Sequence, residues 1–486
     1  MDCGSKFCWN GEVYQYQTTS CTTDVDSKNT PVVLSAVPAN QSDTELVATL
    51  LSEALHANPS SPLQAVTSAM SQIWNGEFAF CLLTDEALYY GRDGLGRRSL
   101  LTLTEDDQTW NLSSVALSME TEDEWQELPP GIVYEYNLAT HDIQSMPLMV
   151  QPVLEPPLPM PDSVAPPQGV ASESMWKASL QLEVLLRQAV ERRLVISDDQ
   201  NHDPIGVLFS GGLDSVVLAG MAADLLKSDT QILELYNVAF GDGNAADRRA
   251  GLQCYQELKA LHPHKDIRLV LVDIDKWESV VEEERRVQQL IFPKTSVMDI
   301  NIGTALWFAS RGVGTTRTTT TLDDDDDGEA VLYEGKAKIL LLGMGADEQL
   351  GGYGRHRKAY GNGNLGEELD LDIGRIWERN LGRDDRVLSD HGKEARFPFL
   401  DPNVMQFLSH TLVLEDICDF ELPPGEGDKR VLRLVAQRMG LTTASGLVKR
   451  AIQFGSRIAH LSDKQRFGSR RQAKGTAHFG GGAKAK

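Results

Sequence analysis

Two short segments of this 486-residue chain carry residue types suited to phosphate chemistry. The first is Ser210-Gly211-Gly212-Leu213-Asp214-Ser215. A Gly-rich turn opening a helix presents backbone N–H groups to an anion, glycine lets the chain come close, and serine hydroxyls add donors. Asp214 would repel a phosphate on its own, so it makes sense as a group that holds Mg2+ against the phosphate oxygens. The turn has no Gly-Lys-Ser/Thr and is therefore not a Walker-type loop. The second segment, Leu342-Gly343-Met344-Gly345-Ala346-Asp347-Glu348, is again Gly-rich and ends in paired carboxylates. Were the two turns to share one edge, Asp214 and Asp347 could clamp one Mg2+ over a pyrophosphate, with Glu348 orienting the groups around it.

That meeting requires particular elements. The apolar run Ile205-Gly206-Val207-Leu208-Phe209 reads as a buried strand, and Val216 to Ala223 as a helix with apolar residues at helical spacing. Strand and helix signals then alternate over Ile232 to Phe240, Arg248 to Leu261, Ile267 to Asp273, Ile300 to Ser310 and Ala337 to Leu342. This alternation predicts an α/β fold with a doubly wound parallel sheet, whose strands end on one common edge. An amphipathic helix, Ala178 to Leu194, leads into it. Residues 1–150 are instead strand-rich, with one helix near Thr44 to Ala57 and strands at Phe78 to Leu83, Ala87 to Tyr90 and Gly131 to Tyr136. Prolines crowd Val150 to Gln168 and predict an extended linker over 151–175. The second domain then covers 176–462, with a Thr- and Asp-rich low-complexity insert at 311–335, and a basic Gly-rich tail fills 463–486.

Composition bounds the rest. The formal charge of −24 argues against broad nucleic-acid binding by the folded body. No segment approaches the roughly 18 continuous apolar residues of a membrane span, and no signal peptide is visible, so a cytoplasmic location is expected. Six scattered cysteines without a Cys-x-x-Cys pair read as reduced thiols. Two motifs are decoys. Asp323, Asp325, Asp327, Gly328 and Glu334 fit a calcium-loop spacing but follow a threonine run that makes a poor entering helix. Gly361-Asn362-Gly363-Asn364-Leu365-Gly366 fits a dinucleotide fingerprint but follows a polar segment rather than a strand.

Taken together, the Ser210–Ser215 turn, the segment Gly343 to Tyr353, Asp384-Asp385-Arg386 and Glu394 to Asp401 resemble the synthetase half of the asparagine synthetase family. The resemblance implies an ATP-pyrophosphatase domain of the adenine nucleotide alpha hydrolase type. It is preceded by a truncated α+β glutaminase-like domain of the N-terminal-nucleophile type. It also implies the chemistry: ATP activates the side-chain carboxylate of aspartate as an acyl-adenylate, and ammonia or glutamine-derived nitrogen displaces AMP. Carried over residue by residue, ATP and pyrophosphate would meet Leu208, Phe209, Ser210, Gly211, Gly212, Asp214, Ser215, Val238, Leu342, Gly343 and Gly345, with Mg2+ on Asp214 and Asp347. Lys429 matches the family lysine that absorbs charge developing on pyrophosphate. Local sequence alone reads Lys429 as a solvated helix-surface lysine and Val238 as core. Asp247 reads as a solvated acid in a loop.

One departure concerns Met344, which stands where the family turn carries a glutamate that helps the intermediate react with ammonia. A thioether can neither accept a proton nor bind one through a carboxylate, so the resemblance carries adenylate formation and stops short of amide synthesis. In the N-terminal half, Asn10-Gly11-Glu12 resembles the family's glutamine-holding triplet and Asp43 the carboxylate that binds the substrate's amino group. Only nine residues precede Asn10, and Cys3 follows Asp2, so it lacks the free α-amino group that a nucleophilic cysteine needs as base. The glutaminase half is therefore expected to be inactive. Expected partners are small molecules (aspartate, ammonia or glutamine), with no membrane and no specific nucleic acid, and a homo-oligomer stays open. A scaffold that retains ATP binding without turnover is the alternative reading, and another ATP-pyrophosphatase a third.

Overall fold

The computed structural model describes residues 5–19, 32–38, 41–104, 110–117, 119, 125–149, 172–194, 203–241, 244–317 and 330–467. Residues 151–171 of the expected linker, Cys3, the aspartate run of the calcium-like spacing and the last nineteen residues of the basic tail, 468–486, lie outside them, whereas 173–175 of the expected linker are helical. The chain divides into two units, one built from 1–156 with 374–385, the other from 157–373 with 386–486.

The first unit is an antiparallel sheet carrying two helices. Its strands β1 (Lys6–Thr19), β2 (Val32–Ser35), β3 (Ile73–Leu83), β4 (Ala87–Arg92), β8 (Ile132–Asn137) and β9 (Ile143–Pro147) run in the order β2-β1-β3-β4-β8-β9. A small sheet of β5 (Leu101–Thr104), β6 (Trp110–Ser113) and β7 (Gln126–Glu127) accompanies it. Helices α1 (Asp43–Ala57) and α2 (Pro62–Ser71) set Val47, Leu51, Val66 and Met70 against Phe78, Phe80 and Val133 of the sheet. Ser42 starts α1 by a reciprocal cap: its hydroxyl accepts from the Glu45 amide, and Glu45 Oε2 accepts from the Ser42 amide. Residues 374–385 belong to this unit through Asp385, which is buried and accepts from Arg98 Nη1 at 3.2 Å and from the Ser99 amide at 2.8 Å.

In the second unit a seven-stranded sheet has the order β14-β13-β12-β11-β10-β15-β16, with β14 (Ala330–Glu334) and β13 (Val313–Arg317) at one edge. β10 (Ile205–Leu208), β11 (Ile232–Phe240), β12 (Asp266–Ile274), β15 (Ile339–Leu341) and β16 (Glu394–Arg396) are parallel. The chain therefore builds outward from β10 through β11 and β12, then returns to lay β15 and β16 on its other side. This reversal makes a crevice at the C-terminal ends of β10 and β15, the place where open α/β sheets hold ligands. Helices α3 (Glu173–Leu194), α4 (Leu213–Leu225), α5 (Ala246–Leu261), α6 (Trp277–Ile291) and α7 (Val297–Arg311) complete the layers. Val207, Val216, Leu218, Leu235, Leu341 and Val435 are among the fully buried side chains of the core.

Two sequence readings change here. The stretch taken as a low-complexity insert begins and ends in ordered strands: β13 (Val313–Arg317) and β14 (Ala330–Glu334) pair as an antiparallel hairpin at the edge of the sheet. Tyr333 of that hairpin donates to buried Glu234 at 2.6 Å, and the Lys336 and Ala337 amides donate to the same carboxylate. The helix expected from Ala178 starts at Glu173 instead. The fingerprint-like Gly361–Gly366 segment is a turn between two helices, as its polar flank implies. No described helix is long and apolar enough to cross a membrane.

Candidate functional site

Four groups converge at the crevice between β10 and β15. Asp214 stands in the first turn of α4, immediately past the strand end, and Asp347 in the short helix α8 (Ala346–Leu350) after β15. The turns touch: a β-carbon added to Gly343 would lie 3.0 Å from Asp214 Cβ. Lys429 Nζ fills the space between the carboxylates, 2.8 and 2.6 Å from the Asp214 oxygens and 2.6 Å from Asp347 Oδ1. A second ammonium, Lys449 Nζ, lies 3.2 Å from Asp347 Oδ2 and 4.3 Å from the centre of the Tyr353 ring.

The backbone is shaped to allow this. Lys429 sits at φ 53° in the left-handed region, uncommon for a side-chain-bearing residue, and its amide donates to the Leu350 carbonyl at 3.1 Å. Its side chain is 2% exposed, which overturns the surface-lysine reading. Gly352 has no side chain where Asp347 Oδ1 packs, and a β-carbon there would also come 2.7 Å from Lys429 Cε.

Burial raises the Asp214 carboxyl; Lys429 offsets part of that, and the neighbouring Asp347 charge adds to it. Burial pushes Asp347 the same way, but Lys429 and then Lys449 outweigh it and hold this carboxyl at about 2. Burial alone would lower Lys429, and the Asp214 and Asp347 charges instead raise it. The cluster is thus two carboxylates matched by two ammoniums, poised to exchange partners with an anion and a divalent cation.

The turn expected to meet phosphate, Ser210–Ser215, borders the same crevice. Helix α4 begins without a side-chain cap at Gly212, leaving the first amides of a thirteen-residue helix directed out of its end. Ser210 Oγ accepts from the Gly212 amide at 3.2 Å and lies 3.4 Å from Ser215 Oγ. Gly211 adopts φ +77°, and a β-carbon on it would overlap the Gly251 amide of α5. The other expected nucleotide contacts line the same edge. Leu208 and Phe209 end β10, Val238 lies on β11, and Leu342, Gly343 and Gly345 form the turn after β15. Val238 is 8% exposed.

Three further residues complete the picture, one of them read differently from sequence and one not read at all. Glu348 accepts from the Gly345 amide at 3.1 Å and the Tyr353 hydroxyl at 2.5 Å, which fixes the turn and the aromatic ring. Burial raises its carboxyl. Asp247 is neither in a loop nor fully solvated: it opens α5 and is partly buried against Gly455. Burial, offset by Arg450 and Lys449, raises it to about 7. Lys449 was not singled out as a site residue, because nothing in its local sequence separates it from a surface lysine.

In the first unit, Asn10, Gly11 and Glu12 lie on β1, with Glu12 opposite Glu77 of β3. Asn10 is exposed, and Asp43 Oδ2 accepts from the Val13 amide at 2.7 Å, tying α1 to β1. Cys8, Cys81, Cys254 and Cys418 are free thiols.

A family model described as asparagine synthase matches residues 181–269. Asparagine synthetase domain-containing protein 1 from Bos taurus is 32% identical over 94% of this chain and 85% of its own length. The Mus musculus protein of the same name is 30% identical over 94% and 86%. A putative glutamine-hydrolyzing asparagine synthetase from Methanocaldococcus jannaschii is 27% identical over 48% of this chain and 36% of its own. Among solved structures, a glutamine phosphoribosylpyrophosphate amidotransferase from B. subtilis overlaps 56% of this chain and 62% of its own at 12% identity. Its TM-score of 0.23 supports no argument about fold or function.

Proposed function

Because the chain belongs to the asparagine synthetase domain-containing protein 1 family, we propose that its second unit is an ATP-pyrophosphatase domain that activates the side-chain carboxylate of aspartate. ATP is split to AMP and pyrophosphate, and ammonia displaces AMP from the acyl-adenylate to give asparagine. The observation that carries this reading is the meeting of Asp214 and Asp347, from two separate strand-end turns, at the Nζ of Lys429.

A carboxylate resists attack until one of its oxygens becomes a good leaving group, and splitting ATP concentrates negative charge on pyrophosphate. The Ser210 turn and the α4 amides bind that charge, while Lys429 and Lys449 move onto it as they leave the carboxylates. Asp214 and Asp347 would hold the Mg2+. Two carboxylates completed by substrate phosphate oxygens suit this ion, which rarely takes an all-protein cage. When bound, the ion polarises phosphoryl oxygens as a Lewis acid. Leu208, Phe209 and Val238 offer an apolar seat for adenine.

The first unit we read as a glutamine amidotransferase-like half in which Asn10, Glu12 and Asp43 resemble the residues that hold glutamine, with nitrogen reaching the second unit as ammonia, free or glutamine-derived. We place the protein in the cytoplasm. Met344 favours a second reading, adenylation without amide synthesis. The test measures pyrophosphate and AMP released from ATP and Mg2+ with aspartate and ammonium chloride. Wild-type protein should release both, and Asp214→Asn should lose on the order of 100-fold or more. Wild-type protein as silent as the variant at every ammonia concentration would sink the ligase reading.

A further inference from the structure

Amide formation from ammonia releases a proton, and the carboxylates around the crevice are already engaged. Asp214 and Asp347 hold ammoniums, and Glu348 holds the Gly345 amide and Tyr353. Met344, in the middle of the turn, has no proton-accepting group.

Asp247 differs from all of these. Among the described residues its carboxylate has no hydrogen-bond or ion-pair partner, although its backbone is firmly placed. Asn237 Nδ2 donates both to the Phe209 carbonyl at 2.8 Å and to the Asp247 carbonyl at 3.2 Å, joining this residue to the strand end that opens the phosphate turn. Asp247 also precedes Gly251 by one helical turn on the same face of α5, and Gly251 abuts Gly211. The Asp247 side chain therefore starts one turn nearer the N-terminus of α5 than that contact. From the other side the helix Ile452–Gly455 closes on it, since a β-carbon on Gly455 would overlap its oxygens.

The charges acting on it come from one segment. Arg450 and Lys449 favour its ionised form, and Lys449 also pairs with Asp347, so the charge of one lysine acts on both Asp247 and Asp347. The arginines of its own helix are spent elsewhere: Arg248 on Asn237 and on Asp273 of β12, and Arg249 on Asn244.

The geometry points to Asp247 as the general base that takes the proton released when ammonia attacks the acyl-adenylate, an inference resting on the adenylating function proposed above. In this step the ammonia nitrogen forms a bond to the acyl carbon. The bond from that carbon to the phosphate oxygen breaks, and AMP leaves with the electron pair. The proton lost by nitrogen passes to the Asp247 carboxylate and then to solvent. A base of this kind contributes about 100-fold to 10,000-fold in rate.

Hydroxylamine provides the discriminating probe: it is largely neutral near pH 7, and because it is a weaker base than ammonia the nitrogen that becomes positive on attack is more acidic and loses its proton to water without a protein base. Full-length Asp247→Asn should lose about 100-fold or more in ammonia-dependent asparagine formation. Its pyrophosphate release and aspartyl hydroxamate formation with hydroxylamine should stay within about threefold of wild type. With free ammonia held constant, wild-type turnover should rise with pH through a midpoint near 7 as Asp247 ionises, and the variant should lose that rise. Equal losses with both nucleophiles would make Asp247 a structural residue and overturn the inference, as would an unchanged ammonia rate. Wild-type protein that forms hydroxamate but no asparagine would also overturn it while sparing adenylation. Wild-type protein that releases no pyrophosphate with either nucleophile would remove the parent reading and this one with it.

Discussion

A β-carbon on Gly352 would overlap Asp347 Oδ1 and press on Lys429 Cε at 2.7 Å, so a single methyl group tests whether the convergence of charges matters. Gly352→Ala has no relief short of moving the ion pair or the turn, and overpacking of this kind costs about 1–3 kcal/mol. The variant should unfold at lower denaturant and lose pyrophosphate release well beyond what that destabilisation explains. Gly354→Ala is the matched control. Its added methyl meets nothing within 4 Å at the start of the helix Gly354–Gly361, so stability should hold and activity should not change. Equal behaviour of the two variants would mean that the Asp347–Lys429 contact is dispensable. At this scale the sequence disclosed residue types but not their company. Lys429 and Lys449 are twenty positions apart and each looks like a solvated lysine; only the chain's return to the crevice makes them a pair. The left-handed conformation of Lys429 has no local signal, because glycine or asparagine would ordinarily mark such a position.

Strand ends did the placing that single residues could not announce. The alternation of apolar runs with helical patterns pointed to parallel strands ending on a common edge, and the parallel pairing of β10 with β11 and with β15 has that form. Two features escaped for physical reasons. The β13–β14 hairpin was hidden by a threonine-rich composition, although β-branched threonine suits a strand. The start of α5 lacks a side-chain cap at Ala245, so the polar residues before it looked like a longer loop and carried Asp247 into it. In the first unit, the segment 374–385 arrives from far along the chain, and no local pattern ties it to Arg98. Its buried ion pair can be tested directly. Arg98→Ala or Asp385→Ala each removes the opposite charge paired with a buried group and should cost about 3–5 kcal/mol. The double variant should cost less than the sum by about 1 kcal/mol or more. Additive losses in denaturant titrations would show that the two side chains do not stabilise each other.

Over the whole molecule, the apolar side chains form separate cores: Val47, Leu51, Phe78 and Phe80 in the first unit, Val207, Val216, Leu235 and Leu341 in the second. Every residue assigned to nucleotide or Mg2+ belongs to the second unit, whereas Asn10 and Asp43 belong to the first. The chain nevertheless leaves the second unit after Ile373 and re-enters it at Arg386, with the intervening residues folded into the first. Melting the first unit therefore frees a tether inside the second without removing any proposed nucleotide contact. Separate cores predict at least two calorimetric transitions rather than one. A ligand that binds only the folded second unit stabilises that unit alone, by about 2.7 kcal/mol at a hundred times its dissociation constant. ATP with Mg2+ should move one transition upward and leave the other in place, and Asp214→Asn should abolish the movement. A single transition that shifts as a whole would mean that the two cores melt as one cooperative body. The nucleotide would then be stabilising the first unit, with Asn10 and Asp43, as much as its own crevice.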